Sequence, residues 1–223
     1  MSETLLDVWS DVVCPWCYIG RERLRQAMTD SPPIALRWRA FELQPDLPPE
    51  GVEARPFYAR KFGGEARVEQ LFAHVAGVAA QDGLRLDFAK ARRAPNTRLG
   101  HRIVQLAESA HPGQGDAVAH ALFRAHFVEG LDVARADAVF EFLATQAGSD
   151  GAELAVDLDA LRARLTAGEG LREVLDDERM ATELGIRGVP FFIAGLDTSE
   201  PTGLSGAQPV DVFRQFISAV TDN

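Results

Sequence analysis

Only two cysteines occur in the 223 residues, and both fall within four positions, at Cys14 and Cys17. A structural zinc site needs about four ligands, normally a second cysteine pair or a Cys/His pair. No other cysteine exists and the five histidines are scattered, so no metal site is expected. A purely structural disulfide is equally ill suited, because a loop this short removes little entropy from the unfolded chain. No run approaches the roughly 18 apolar residues of a membrane span, and Met1-Ser2-Glu3-Thr4 has no basic region leading into an apolar stretch. The expectation is therefore a cytoplasmic protein. Positive charge is outnumbered, 23 basic against 33 acidic residues for a net charge of −10. Such a surface repels nucleic acid and anionic membranes on average. Neither an internal repeat nor a low-complexity segment is present.

What the chain does have is Cys14-Pro15-Trp16-Cys17 at the exit of an apolar, strand-like run from Leu5 to Val13. A helix starting here puts positions three apart on one face, within the roughly 4.4 to 6.8 Å Cα separation that a disulfide needs. Pro15 suits the first helical position, where its missing N–H costs nothing and its φ is already set. Cys14 is then the N-cap, with its sulfur expected against free backbone N–H groups and the positive end of the helix dipole, both favouring thiolate. In a reducing compartment such a pair reads as a catalytic dithiol rather than a staple.

The rest of the chain changes period twice. Tyr18 to Met28 continues as a helix, stopped by Asp30-Ser31-Pro32-Pro33. Ile34 to Phe41 alternates, with Leu36, Trp38 and Ala40 on one face and Arg37 and Arg39 on the other, as a half-exposed strand does. Pro45 to Arg55 reads as a linker. Helical spacing then runs through Val68, Leu71 and Val75, through Leu99, Ile103 and Leu106, through Val118, Leu122 and Ala125, and through Val139, Phe140 and Leu143. Leu158, Leu161 and Leu165 suggest another helix, and Leu171, Val174, Leu175 and Leu184 the apolar face of the one after Gly170. Val189 to Ala194 and Thr202 to Ser205 read as strands, and Pro209 to Val220 as a closing helix. The order is βαβ, a helical block, then αββα.

Four groups of residues together resemble the DsbA-like thioredoxin-fold oxidoreductases, particularly the FrnE-like branch, which is related to 2-hydroxychromene-2-carboxylate isomerases and kappa-class glutathione transferases. They are Asp11 to Cys17, Asn96-Thr97 with His101, Gly188-Val189-Pro190-Phe191, and Ser205-Gly206-Ala207-Gln208. The resemblance implies an α/β protein in which a thioredoxin fold is interrupted by an all-helical insertion domain. The expected division is a first thioredoxin-like part at 1–50, the insertion at 51–169 and a second part at 170–223. It also implies that Pro190 is cis and faces the cysteine pair, while Val189 offers backbone N–H and C=O to an extended substrate, with Pro15 and Trp16 as further substrate-binding candidates.

Asn96 reads first as a helix cap and His101 as a surface or interdomain histidine. Both are retained as substrate-facing candidates. Ser205 and Gln208 read either as a strand end and turn or, by the resemblance, as contacts for the γ-glutamyl part of glutathione. His74, His111, His120 and His126 read as structural. One departure stands out: the family's carboxylate six positions before the first cysteine is replaced by Val8, leaving Asp11 and Asp7 as nearby acids. Asp11 is a candidate active-site base, although a loop carboxylate is the simpler reading.

The expected activity is thiol-disulfide exchange with a disulfide- or dithiol-containing protein or peptide, or with glutathione. Cys14 acts as nucleophile and Cys17 as resolving thiol. No bound cofactor is expected, glutathione being admitted as co-substrate, and the oligomeric state is left open. The rival readings are a glutathione-dependent isomerase or transferase, whose relatives commonly have serine first and lack the second cysteine, and a non-enzymatic redox-responsive chaperone.

Overall fold

A computed structural model of the chain describes residues 4–146 and 154–221. Residues 147–153, within the expected insertion, lie outside the described part. The first strand, β1 (Thr4–Ser10), ends three residues before the expected boundary at Val13. Asp11 stops it: its carboxylate accepts from Val13 N–H at 3.3 Å and its carbonyl from Cys14 N–H at 2.9 Å, closing a turn in place of a ladder. Helix α1 (Pro15–Ala27) follows at once, with Pro15 opening it and Leu24 buried along its inner face. A parallel partner strand requires such a crossover. It appears as β2 (Ile34–Ala40), paired with β1 from Thr4↔Ile34 to Ser10↔Ala40.

The sheet is completed by β5 (Phe191–Ala194) and β6 (Thr202–Ser205), giving the order β2-β1-β5-β6 with both later strands antiparallel to their neighbours. Between β2 and β5 come the short ribbon strands β3 (Val52–Glu53) and β4 (Arg93–Ala94) and helices α2 (Ala54–Phe62), α3 (Glu65–Gln81), α4 (Arg98–Ala110), α5 (Gln114–Phe127), α6 (Ala136–Gln146), α7 (Leu158–Thr166) and α8 (Leu171–Glu183). Helix α9 (Val210–Thr221) closes the chain. This is a thioredoxin fold with a helical insertion, which among the described residues also carries the short β3/β4 ribbon.

Alternation along the strands sends side chains to two cores. Leu6 and Val8 of β1 and Phe192 of β5 join α1, α9 and the insertion helices in one continuous apolar cluster that runs through Ile103, Leu122 and Phe123. Trp9 and Ile193 pack on the other face with Ala181 of α8 and Ile186. β2 is half-exposed as expected, but its two arginines are tied down by carboxylates. Arg37, whose side chain is 32% exposed, and Arg39, at 18%, meet Asp7, which is 1% exposed, at 2.6 and 2.7 Å. Arg39 also pairs with Asp177 of α8 at 2.8 Å. Pairing is what makes burial of these charges tolerable. Burial pushes the Asp177 carboxyl pKa up, while the Ala40 N–H and Arg39 hold it back.

The insertion is fastened by ionic clamps. Arg98 at the start of α4 grips buried Glu42 at 2.6 and 3.0 Å, and Arg21 of α1 grips Asp116 of α5. The Pro-rich linker is pinned as well, because Arg93 donates to the carbonyls of Glu50 and Gly51 at 2.7 and 2.9 Å. Gly51, at φ +67°, passes so near Ala94 that a Cβ would sit 2.5 Å from its carbonyl oxygen. On α8 the inward face is narrower than the leucine spacing suggests. Val174, Asp177 and Ala181 are buried, whereas Leu171, Leu175 and Leu184 are exposed, because the face meeting β2 is chosen by Asp177 and its partners.

Candidate active site

Cys14 has the extended backbone of an N-cap, φ −90° and ψ 113°, and its carbonyl accepts from Cys17 and Tyr18 N–H at 3.0 and 3.3 Å. Its side chain does not do what the cap position suggests. The sulfur accepts no helix N–H; instead the thiol donates to the Val189 carbonyl at 3.7 Å. The residue that precedes β5 is thereby brought to the cysteine. The Val189–Pro190 peptide bond is cis, Pro190 is buried and Val189 is half-buried. Gly20 of α1 permits this approach: a Cβ there would stand 3.0 Å from Pro190 Cγ.

Cys17 is 1% exposed and Cys14 4%, and both are free thiols. Burial is the main reason the Cys17 pKa is raised well above its ordinary value. The Cys14 side chain adds to the rise, while the Ser10 hydroxyl and the Asp11 backbone oppose it. A thiol held protonated in this way waits for a partner sulfur, so the pair is asymmetric. Pro15 and Trp16 are half-buried above it.

The insertion contributes groups to the same region that sequence reasoning passed over. His74 of α3, expected to be structural, is exposed and leans on Trp16 with ring centroids 6.3 Å apart. Tyr58 and Lys61 of α2 both feel the charges of Asp11 and Cys14. Burial first, and those charges second, push the Tyr58 phenol up to about 12. Lys61, partly covered by the Phe57 and Phe62 rings at 6.0 and 5.8 Å, has its pKa lowered by burial against the pull of the same two groups. A helix wheel of α2 or α3 alone gives no sign of this, since which face meets the cysteines is set by how the insertion folds back.

Ser205 and Gln208 lie beside Pro190. Ser205 ends β6 opposite Phe191, Gly206 N–H donates to the Pro190 carbonyl at 2.8 Å, and the Gln208 amide donates to the Ser205 carbonyl at 2.8 Å. Arg23 of α1 fixes the turn through the Ala207 carbonyl at 2.7 Å. The Ser205 side chain is exposed.

Asn96 makes the kind of helix-start bond expected of it, whereas His101 is not at the surface. Asn96 is 7% exposed with both ends of its amide engaged, donating to Leu47 carbonyl at 2.8 Å and accepting from Arg98 N–H at 3.1 Å. The N-cap of α4 is Thr97, one residue later than expected. His101 is 4% exposed, turned inward with Ile103 and Val104, and its Nε2 stands 3.6 Å from Asp11 Oδ1. Both side chains are buried. The reason is that the buried face of α4 is Gly100, His101, Ile103, Val104 and Ala107, shifted from the face that Leu99 and Ile103 suggested.

Comparison with known proteins bears on this geometry. The family model described as DSBA-like thioredoxin domain matches residues 5–218. The Bacillus subtilis (strain 168) protein YwbO is 25% identical over 213 residues, covering 96% of this chain and 95% of that one. A probable DsbA oxidoreductase from Streptomyces coelicolor superposes with a TM-score of 0.83 at 28% identity, over 99% of this chain and 91% of that one. The cytosolic disulfide reductase DsbM from Pseudomonas aeruginosa, solved with GSH, gives a TM-score of 0.69 at 22% identity over 98% and 100% of the two chains. At that identity the likeness concerns the fold. Among the described residues no helix is long and apolar enough to cross a membrane.

Proposed function

Since the chain belongs to the DsbA-like thioredoxin domain family, matched over residues 5–218, we propose that it is a cytoplasmic thiol-disulfide oxidoreductase working through Cys14 and Cys17. The observation that carries this is the Cys14 thiol at 3.7 Å from the Val189 carbonyl, with Cys17 buried behind it and its proton firmly held. An extended substrate that pairs with the Val189 backbone brings its own sulfur to Cys14.

The cycle needs two exchanges. Cys14 thiolate attacks one sulfur of a substrate disulfide, the other sulfur leaves as a thiolate, and a mixed disulfide joins enzyme and substrate. Cys17 then loses its proton and attacks the Cys14 sulfur. The intramolecular disulfide forms as the substrate departs reduced, and the reverse sequence delivers a disulfide to a dithiol. Disulfide- or dithiol-containing proteins and peptides are the substrates of this reading. Glutathione fits as a co-substrate, an assignment supported by the DsbM structure solved with GSH and by the exposed Ser205 beside Pro190.

The decisive experiment removes one thiol at a time. Cys17→Ser should accumulate a mixed disulfide with glutathione or an insulin-type peptide, seen as an adduct by intact mass, while Cys14→Ser should lose both turnover and adduct. Turnover by Cys17→Ser at the wild-type rate, without an adduct and without added thiol, would refute the two-cysteine cycle. A glutathione-dependent isomerase would instead keep its activity on a carbon substrate in that variant.

A further inference from the structure

Among the described residues four buried side-chain polar atoms complete no hydrogen bond: Ser10 Oγ, Trp38 Nε1, His101 Nε2 and His126 Nδ1. The residues that carry three of the four, Ser10, Trp38 and His101, line one cavity of about 10 Å³, which also touches Arg39 and Gln105. The three residues are 3%, 5% and 4% exposed, so bulk solvent does not satisfy them. A buried polar group left unpaired costs about 1 to 3 kcal/mol. Three such groups around one space of roughly a single water's size describe a water site, for a buried water typically makes about three hydrogen bonds. The chemistry of the three atoms is complementary to that occupant. The indole N–H can only donate to the water, the imidazole Nε2 can accept from it, and the hydroxyl can do either.

The site adjoins the cysteines. Ser10 is the last residue of β1, and its hydroxyl, though it completes no hydrogen bond, is near enough to Cys17 to favour the thiolate. His101 stands 3.6 Å from Asp11 Oδ1, and the Asp11 carboxylate is held in place by the N–H groups of Val13 and Leu43 at 3.3 and 2.7 Å. The Asp11 carbonyl in turn accepts from Cys14 N–H. Val8, buried in the apolar cluster with Cys17, provides no carboxylate for that thiol.

We propose that this cavity holds one water and that Ser10, the water and His101 form the path by which Cys17 gives up its proton when it resolves the mixed disulfide. The proposal rests on the disulfide-exchange reading. In the step, the Cys17 proton passes to Ser10 Oγ as the Ser10 proton passes to the water and a water proton passes to His101 Nε2. The electron pair left on Cys17 forms the bond to Cys14 sulfur, the Cys14–substrate S–S bond breaks, and the substrate sulfur leaves with that bond's electron pair as a thiolate. When the enzyme disulfide is next reduced, Cys17 departs as a thiolate and takes the proton back along the same path. His101 is a positioning and proton-holding residue, acting through Ser10 and the water.

Three carboxylates lie around His101. Asp11 faces it from the turn after β1, Glu42 from beyond β2 and Asp177 from α8, and its positive charge favours the carboxylate form of the last two. Glu42 and Asp177 already carry Arg98 and Arg39. Among the described residues Asp11 has its ion pair with His101 alone, which makes it the natural counter-charge.

The test separates attack from resolution by rapid mixing of reduced enzyme with oxidised glutathione, quenching with acid and weighing the adducts. Ser10→Ala and His101→Gln should form the mixed disulfide at the wild-type rate. They should resolve it on the order of 10²-fold more slowly, the scale of a positioned proton acceptor. The wild-type resolution rate should show an inflection with pH that His101→Gln lacks, and Ser10→Thr should restore the rate lost in Ser10→Ala. Resolution at the wild-type rate in folded Ser10→Ala, or equal slowing of both steps, overturns the path even where His101→Gln fails to fold. A crystal structure showing no ordered water within hydrogen-bond reach of the three atoms overturns it as well. Absence of any Cys14 adduct in wild type and in Cys17→Ser would instead sink the disulfide-exchange reading itself.

Discussion

Cys14 and Cys17 are the same residue type three positions apart, and what separates them is environment. Cys17 sits inside the first turn of α1 with 1% of its surface exposed, and burial together with the neighbouring Cys14 side chain raises its pKa well above the ordinary value. Cys14 stands at the cap, its sulfur turned to the Val189 carbonyl. In the reduced protein, brief treatment with iodoacetamide at pH 7 should therefore label Cys14 first, since the reactive species is the thiolate and each unit of pKa is worth about a factor of 10 in its population. Peptide mass mapping reads the order directly. Preferential labelling of Cys17 would reverse the two roles. Asp11 shows how one side chain serves several needs: it ends β1, ties down Leu43 beyond β2, and presents its remaining face to His101.

At the scale of elements, the site is where α1 and the segment entering β5 come within a single atom's thickness of each other. Gly20 makes that possible, for a Cβ on it would lie 3.0 Å from Pro190 Cγ and 3.5 Å from Phe192 Cζ. Glycine inside a helix gives up about 1 kcal/mol relative to alanine, so Gly20→Ala would stabilise α1 in isolation. Pro190 is a rigid ring held by the Gly206 N–H and by the sheet, and overpacking of that kind costs about 1 to 3 kcal/mol. The expected net result is a lower melting temperature and slower disulfide exchange, measured by thermal unfolding and insulin reduction. A more stable, fully active Gly20→Ala would mean that the Pro190 segment yields.

These contacts also explain how much could be read beforehand. The βαβ start, the run of insertion helices and the returning strands were legible because each carries its own period, and the cysteine pair because its spacing is local. The inward faces of α4 and α8 were not. His101 and Asp177 are buried for partners at Asp11, Arg39 and Gln105, and a buried polar residue contributes nothing to an apolar period. His74 meets Trp16 because of how α3 packs, and Tyr58 and Lys61 of α2 are influenced by Asp11 and Cys14, none of which a helix period shows.

At the scale of the whole molecule, one apolar cluster joins the thioredoxin sheet to the insertion, from Leu6 and Phe192 through Tyr18 to Phe123, Phe127 and Leu143. The two parts therefore have no separate interiors, and acid acting on the insertion must be felt by the whole. His120 and His126 of α5 are the groups through which it acts, since burial lowers each from 6.5 to about 4. In the unfolded chain they bind protons near pH 6.5, whereas the folded protein resists them until about pH 4. Their contribution to stability is thus full above pH 6.5 and is lost as pH falls toward 4. Asp177 and Glu42 oppose this, because their raised pKa values let the folded state take up protons first on acidification. A single variant isolates the histidine effect. His126→Gln cannot charge, so its unfolding free energy from urea titrations should fall between pH 7 and pH 4.5 by about 2 kcal/mol less than that of the wild type, at about 1.4 kcal/mol for each pH unit crossed. Parallel curves for the two proteins would show that His126 is protonated in the folded state as readily as in the unfolded one, and the buried neutral imidazole would have to be abandoned.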